Sequence, residues 1–83
     1  MSDNKPPVKI LSDRLVKVKI WEHEGEHGIY YSAQPIRIYE AGEKDWKETN
    51  SFSNADLLRI NRLMGKAYDV IEKLQAVNKQ LDT

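Results

Sequence analysis

The amino-acid sequence predicts an α+β domain: a four-stranded antiparallel sheet followed by one long C-terminal helix (ββββα). Three observations carry this expectation. Leu57, Ile60, Met64, Ala67, Ile71 and Leu74 recur at steps of three and four, and the series resumes at Leu81 after the polar Asn78, which is helix spacing. Val16, Val18 and Ile20 alternate with Lys17, Lys19 and Trp21, the period of a strand with one apolar face. Polar, glycine-bearing breaks over residues 22–28 and 41–45 separate the strand-like runs and mark chain reversals.

Composition narrows the class. The chain has 83 residues, enough for one domain with a modest core. It contains no cysteine, which excludes disulfides and thiolate metal sites and fits a reducing compartment. The opening residues lack an apolar signal core, and no later segment approaches the run of ~20 apolar residues that spans a bilayer. A soluble, cytoplasmic protein is therefore expected, with no membrane partner. Thirteen basic and thirteen acidic residues cancel, which argues against a surface that attracts phosphate everywhere. Any anion site must be local. The charges do segregate: Glu40, Glu43, Asp45 and Glu48 outweigh Lys44 and Lys47, whereas Arg14, Lys17 and Lys19 stand on a stretch without an acid.

Taken in order, residues 1–7 end in Pro6-Pro7 and are expected to be a disordered lead-in to a single domain over 8–81. Val8 to Leu11 is a short first strand at the sheet edge, and Ser12-Asp13 a turn. Arg14 to His23 is the clearest strand, and Glu22 to Gly28 is an exposed hairpin loop. Ile29 to Glu40 changes phase. Ile29, Tyr31 and Ala33 are its apolar set before Pro35, and Ile36 and Ile38, of opposite parity, the set after it, so a bulge or kink is expected near Gln34-Pro35. On that phasing Tyr30, Ser32, Arg37 and Tyr39 share an outer face with Lys17, Lys19 and Trp21. Trp46 to Phe52 forms the fourth strand, with Trp46 and Phe52 on one side and Lys47, Thr49 and Ser51 on the other.

Ser53 is placed as the N-cap of the helix, and Asp56 completes an imperfect capping box. Leu63, Tyr68 and Val70 widen the apolar stripe to roughly half the circumference, more than a one-sided cover for a small sheet needs. A second helix is the expected partner, with Leu57, Ile60, Met64, Ala67, Ile71 and Leu74 as the seam of a homodimer. Gly65, in mid-helix, marks either a close backbone approach or simple tolerance.

Three constellations bear on function. On the outer sheet face, Lys17, Lys19, Trp21, Tyr30, Arg37, Tyr39 and Lys47 interleave cations with rings. Single-stranded nucleic acid needs both, cations for phosphates and rings for unstacked bases; the alternative is a solvated face with ordinary cross-strand pairs. The hairpin group Glu22, His23, Glu24, Glu26 and His27 has metal-capable side chains, but its glycines oppose a helical ligand pair, so a solvated tip is expected and no metal site. Arg59, Arg62, Lys66 and Lys73 oppose the apolar stripe and are interrupted by Asp69 and Glu72, which favours i,i+4 pairing over duplex readout, for which Asn61 is the one candidate reader. No nucleophile with a base, phosphate loop or pocketed carboxylate pair is found. The chain is thus not expected to be an enzyme, and neither a cofactor nor a small-molecule substrate is expected.

The segment Arg14-Leu15-Val16-Lys17-Val18-Lys19-Ile20-Trp21, followed by Ile36-Arg37-Ile38-Tyr39-Glu40 and by Lys47 to Ser53 leading into Ala55-Asp56-Leu57-Leu58, resembles the single-stranded-DNA-binding coactivator family typified by positive cofactor four. The likeness covers residues 8 to about 75, mostly in element order. It implies a four-stranded sheet with one helix, dimerisation through the helices, and Lys17, Lys19, Trp21, Arg37 and Tyr39 on the strands that face nucleic acid. Lys47-Glu48-Thr49-Asn50-Ser51-Phe52 departs from the family's Lys-x-Gly-Ile-Ser-Leu type segment in having no glycine. The competing class is a protein-interaction or adaptor module that uses the aromatic sheet face or the long helix.

Overall fold

The computed structural model describes residues 5–81, with side chains described as far as Val77. Residues 1–4 of the expected lead-in, and the side chain of Leu81, lie outside this range. Strands β1 (Lys9–Asp13), β2 (Val16–Gly25), β3 (Gly28–Gly42) and β4 (Asp45–Thr49) pair antiparallel in sequential order, and a 3-10 turn over Asn54–Asp56 leads into helix α1 (Leu57–Leu81). The predicted ββββα order is the observed one. Among the described residues no helix is long and apolar enough to cross a membrane.

Each hairpin closes more tightly than the sequence suggests. The first turn is Arg14-Leu15, between the paired Asp13 and Val16, and not Ser12-Asp13; Arg14 takes a φ of 60° there. The second is Glu26-His27, between Gly25 and Gly28, so Glu22, His23 and Glu24 belong to β2 and not to a loop. Gly28 has a φ of 117°, a conformation that side chains rarely adopt, and this explains why a glycine ends the turn. The third joins Gly42 to Asp45.

The core forms where the β2 alternation meets the helix stripe. Val16, Val18 and Ile20 are fully buried, and Leu63 and Ala67 of α1 pack on them. Leu11, Tyr31, Ala33, Phe52, Ile60, Val70, Ile71 and Leu74 close the margins. The stripe assigned to a dimer seam is therefore largely occupied by the chain's own sheet: Ala67 lies inside the core, and Ile60, Ile71 and Leu74 lean on it. Leu63, expected only to widen the stripe, is at its centre. Leu57 and Met64 stay exposed and form a ridge with Tyr68 on one flank of the helix. Gly65 has no side chain or backbone from elsewhere within 4 Å of where a Cβ would sit, so no close approach compensates it.

Strand β3 shows the main departure. It pairs with β2 without interruption from Arg37↔Val16 through Pro35↔Val18 to Tyr31↔Glu22, so there is no bulge at Gln34-Pro35; the register shift falls later, between Glu40 and Gly42, against β4. Directly opposed residues share a face. Arg37, like Tyr31 and Ala33, is therefore on the helix side with Val16 and Ile20, whereas Ile36 and Ile38 are on the outer side with Lys17. The apolar set changes parity at Pro35 because what each face buries changes there. Ile36 is only 3 % exposed although it faces away from the helix, and Arg37 faces inward because it has a carboxylate to meet.

Strand β4 ends at Thr49, before its expected limit at Phe52. Alternation therefore does not carry from Trp46 to Phe52, and the two lie on opposite faces. Trp46 pairs with Glu40 on the outer side and is 55 % exposed, while Phe52, in the connection to the helix, packs on the core.

Candidate functional site

The structure divides the expected nucleic-acid residues between the two sides of the sheet. Lys17, Lys19, Trp21 and Tyr30 share the outer face, as predicted. Arg37, Tyr39 and Lys47 fall on the helix side, because β3 runs through Pro35 in unbroken register and sets the parity of β4 as well. Sequence reasoning missed Trp46, which joins the outer face. Alternation carried through to Phe52 sets Trp46 on the side opposite Lys47 and the outer face, whereas its pairing with Glu40 puts it on that face.

The outer face is an open strip. From Tyr30 to Glu40, which pairs with Trp46, β3 advances by ten residues, about 33 Å at ~3.3 Å per residue. Aromatic rings stand near both ends and the two lysines between them. At the hairpin end the rings of Tyr30 and His23 stack with centroids 4.8 Å apart and planes inclined by 19°. His23 Nε2 is 2.7 Å from Ser32 Oγ, a hydrogen bond that fixes the imidazole under the phenol. Tyr30 also leans over Gly25, where a Cβ would come 3.2 Å from its Cε1, so the glycine leaves room for this ring. One pair further along, the Trp21 indole N–H donates to Gln34 Oε1 at 2.9 Å. The indole is half-buried there.

The two lysines differ. Lys19 donates to Glu48 Oε2 at 2.7 Å. Lys19 lies opposite Gln34 and Glu48 opposite Ile38, so the ion pair spans β3 over the residue midway between, Ile36. The pair and the aliphatic stem of Lys19 thus account for the burial of Ile36 on a face with no helix. Lys17 has no ion pair with a described carboxylate and is the freer cation.

On the other side, Asp56 gathers the side chains that tie sheet to helix. Arg37 Nε donates to its Oδ2 at 2.8 Å, Ser53 Oγ donates to the same oxygen at 2.8 Å, and Arg59 Nη1 lies 3.4 Å from Oδ1. Ser53 makes no side-chain cap bond. The expected capping box is replaced by this hydroxyl-to-carboxylate contact, and among the described helix cations Arg59 alone has a carboxylate partner, at i−3. Asp56 is 7 % exposed. The Ser53 hydroxyl, followed by Arg37, holds its carboxyl below the ordinary 3.8, against the opposing effect of burial. A depressed folded-state pKa contributes stability that is complete above the unfolded value and is lost as pH falls through the folded value. Thermal denaturation from pH 7 to pH 2 should therefore show a loss of stability beginning near pH 4, and Asp56→Asn should flatten that limb while lowering the melting temperature at neutral pH. An unchanged acid limb in the variant would contradict this role.

Among the described residues no three His, Cys, Asp or Glu side chains converge as metal ligands would; His23 is taken up by Tyr30 and Ser32, and His27 sits in the turn. In comparisons with family models, with curated proteins and with solved structures, the chain matches none of them.

Proposed function

We propose that the outer sheet face binds single-stranded nucleic acid with little sequence preference, through Lys17 and Lys19 on phosphates and Trp21, Tyr30 and Trp46 against bases. The observation that carries this reading is the interleaving of rings, exposed at Tyr30 and Trp46 and half-buried at Trp21, with the half-buried Lys17 and Lys19 along one face opposite the helix. Stacking contributes roughly 1–3 kcal/mol per base, so a few rings sustain binding in a chain whose net charge is zero. The element order, which resembles that of the positive cofactor four family, supports the same reading and a role as a transcription or replication accessory factor. Arg37, Tyr39 and Lys47, on the helix side, are not part of the proposed surface.

The test is a titration with unlabelled oligothymidine at low and at higher salt, read by tryptophan emission. Quenching that saturates at micromolar concentration is expected, with affinity falling linearly in log salt, because each neutralised phosphate of a single strand adds about 0.7 to the slope. A flat trace removes the proposal.

A second reading, a protein-interaction or adaptor module, is favoured by the ridge of Leu57, Met64 and Tyr68, which are 51, 37 and 66 % exposed on one flank of α1. Self-association through that ridge would give the expected homodimer while leaving the rest of the stripe on the sheet. A flat oligothymidine trace would favour this reading.

A further inference from the structure

At the end of the sheet where β1 turns into β2, Asp13 and Arg14 approach Leu58, Arg59 and Arg62 in the first turns of α1. Together they line an open cleft of about 260 Å³. Three guanidinium groups and one carboxylate here make a local excess of positive charge on a chain whose total charge is zero. The excess is placed against the electrostatics of the helix. The first turn of α1 has no acidic residue, and its amino-terminal end carries the positive pole of the macrodipole, where arginines are unfavourable and an anion is favoured. Asp56 offsets part of this charge, but it is already shared by Arg37, Ser53 and Arg59.

The three arginines are not equivalent. Arg59 is fixed, its Nη1 donating to the Ala55 carbonyl oxygen at 3.0 Å and reaching Asp56 as well. Arg14 and Arg62 have no ion pair with any described carboxylate, and Arg14 sits in the turn at a φ of 60°, where asparagine or glycine would be the ordinary occupant. Arginine supplies a planar fork of donors that matches phosphate oxygens, and three arginines from two elements line this one cleft. The remaining walls are chemically different. Leu58, 79 % exposed, offers an apolar surface, and Asp13 offers an acceptor for a hydroxyl. The volume lies just below the ~300–1,000 Å³ typical of drug-sized ligands, which limits the occupant to something small.

We infer that this cleft binds a small hydroxylated phosphomonoester, its phosphoryl group held by Arg14, Arg59 and Arg62 and its organic part lying on Leu58 within reach of Asp13. The inference concerns the helix side of the sheet and stands apart from the reading of the outer face.

The experiment is an amide NMR titration of the full chain with ribose 5-phosphate, with ribose, inorganic phosphate and sodium chloride at matched ionic strength in parallel. Saturable shifts confined to the amides of residues 13–14 and 58–62 are expected with ribose 5-phosphate and not with ribose or chloride. Arg62→Gln, on the exposed helix surface, and Arg14→Asn, which suits the positive φ, should each weaken binding about tenfold with unchanged melting temperature. Should Arg14→Asn prove unstable, Arg62→Gln carries the test alone. The inference is overturned by non-saturating shifts, by shifts that chloride or ribose reproduces, or by an affinity that Arg62→Gln leaves intact. Equal affinity for inorganic phosphate overturns the ester assignment in favour of a free-phosphate site.

Discussion

Ile20→Ala is expected to reduce the unfolding free energy by about 3 kcal/mol, within the ~2–5 kcal/mol that truncation of a buried isoleucine costs. Ile20 is fully buried in one cluster with Val16, Val18, Leu63 and Ala67, so its truncation leaves a cavity at the centre of the core. A chain of this length is stable by only about 4–12 kcal/mol at ordinary per-residue values. The substitution therefore removes a large fraction of the total, and the melting temperature should fall by roughly 12–24 °C. Ile10→Ala supplies the contrast: Ile10 is half exposed on the outer face of the edge strand β1, and its loss should cost less than ~1 kcal/mol. Thermal or urea denaturation of the two variants measures the difference. Equal losses would mean that the helix does not cover the face of β2 that bears Ile20.

The sequence predicts the placement of β2 well because its alternation is strict over Val16 to Trp21 and because β-branched residues occupy every position of one face. It predicts β3 less well, for a physical reason that lies in other elements. Ile36 and Ile38 read as core, yet they face outward, and Ile36 is sheltered by an ion pair whose partners, Lys19 and Glu48, are 29 residues apart. Arg37 reads as a surface cation, yet it faces the helix side because Asp56, 19 residues away, receives it. Neither partner is visible to a periodicity argument confined to one strand. The helix illustrates the same limit. Its apolar spacing is legible, but whether the stripe meets a second copy or the chain's own sheet depends on how much of the β2 face needs cover. Three fully buried β-branched side chains there take up most of it.

These corrections change the proposed surface without dispersing it. Three of the expected contacts, Arg37, Tyr39 and Lys47, leave the outer face, and Trp46 enters it. The positive charge on that face then rests on Lys17 and Lys19, and Lys19 is engaged by Glu48. Phosphate would have to displace this carboxylate or share the ammonium with it, so Lys17 is expected to make the stronger contribution. The surface ion pair itself adds little stability, and a glutamine at position 19 keeps part of the aliphatic stem that covers Ile36, so the chain is expected to stay folded when both lysines are altered.

The paired substitution Lys17→Glu with Lys19→Gln tests the account most directly. Glutamine is chosen at position 19 because a glutamate there would face Glu48 and confuse repulsion with lost binding. Two charge-assisted contacts to phosphate are removed, which corresponds to about a hundredfold loss of affinity at low salt. Oligothymidine titrated into wild type and variant, read by tryptophan emission, should show saturable quenching in the first and at least this loss in the second, with cooperative thermal unfolding retained in both. Equal affinity in the two proteins would contradict the assignment of nucleic-acid binding to the outer sheet face.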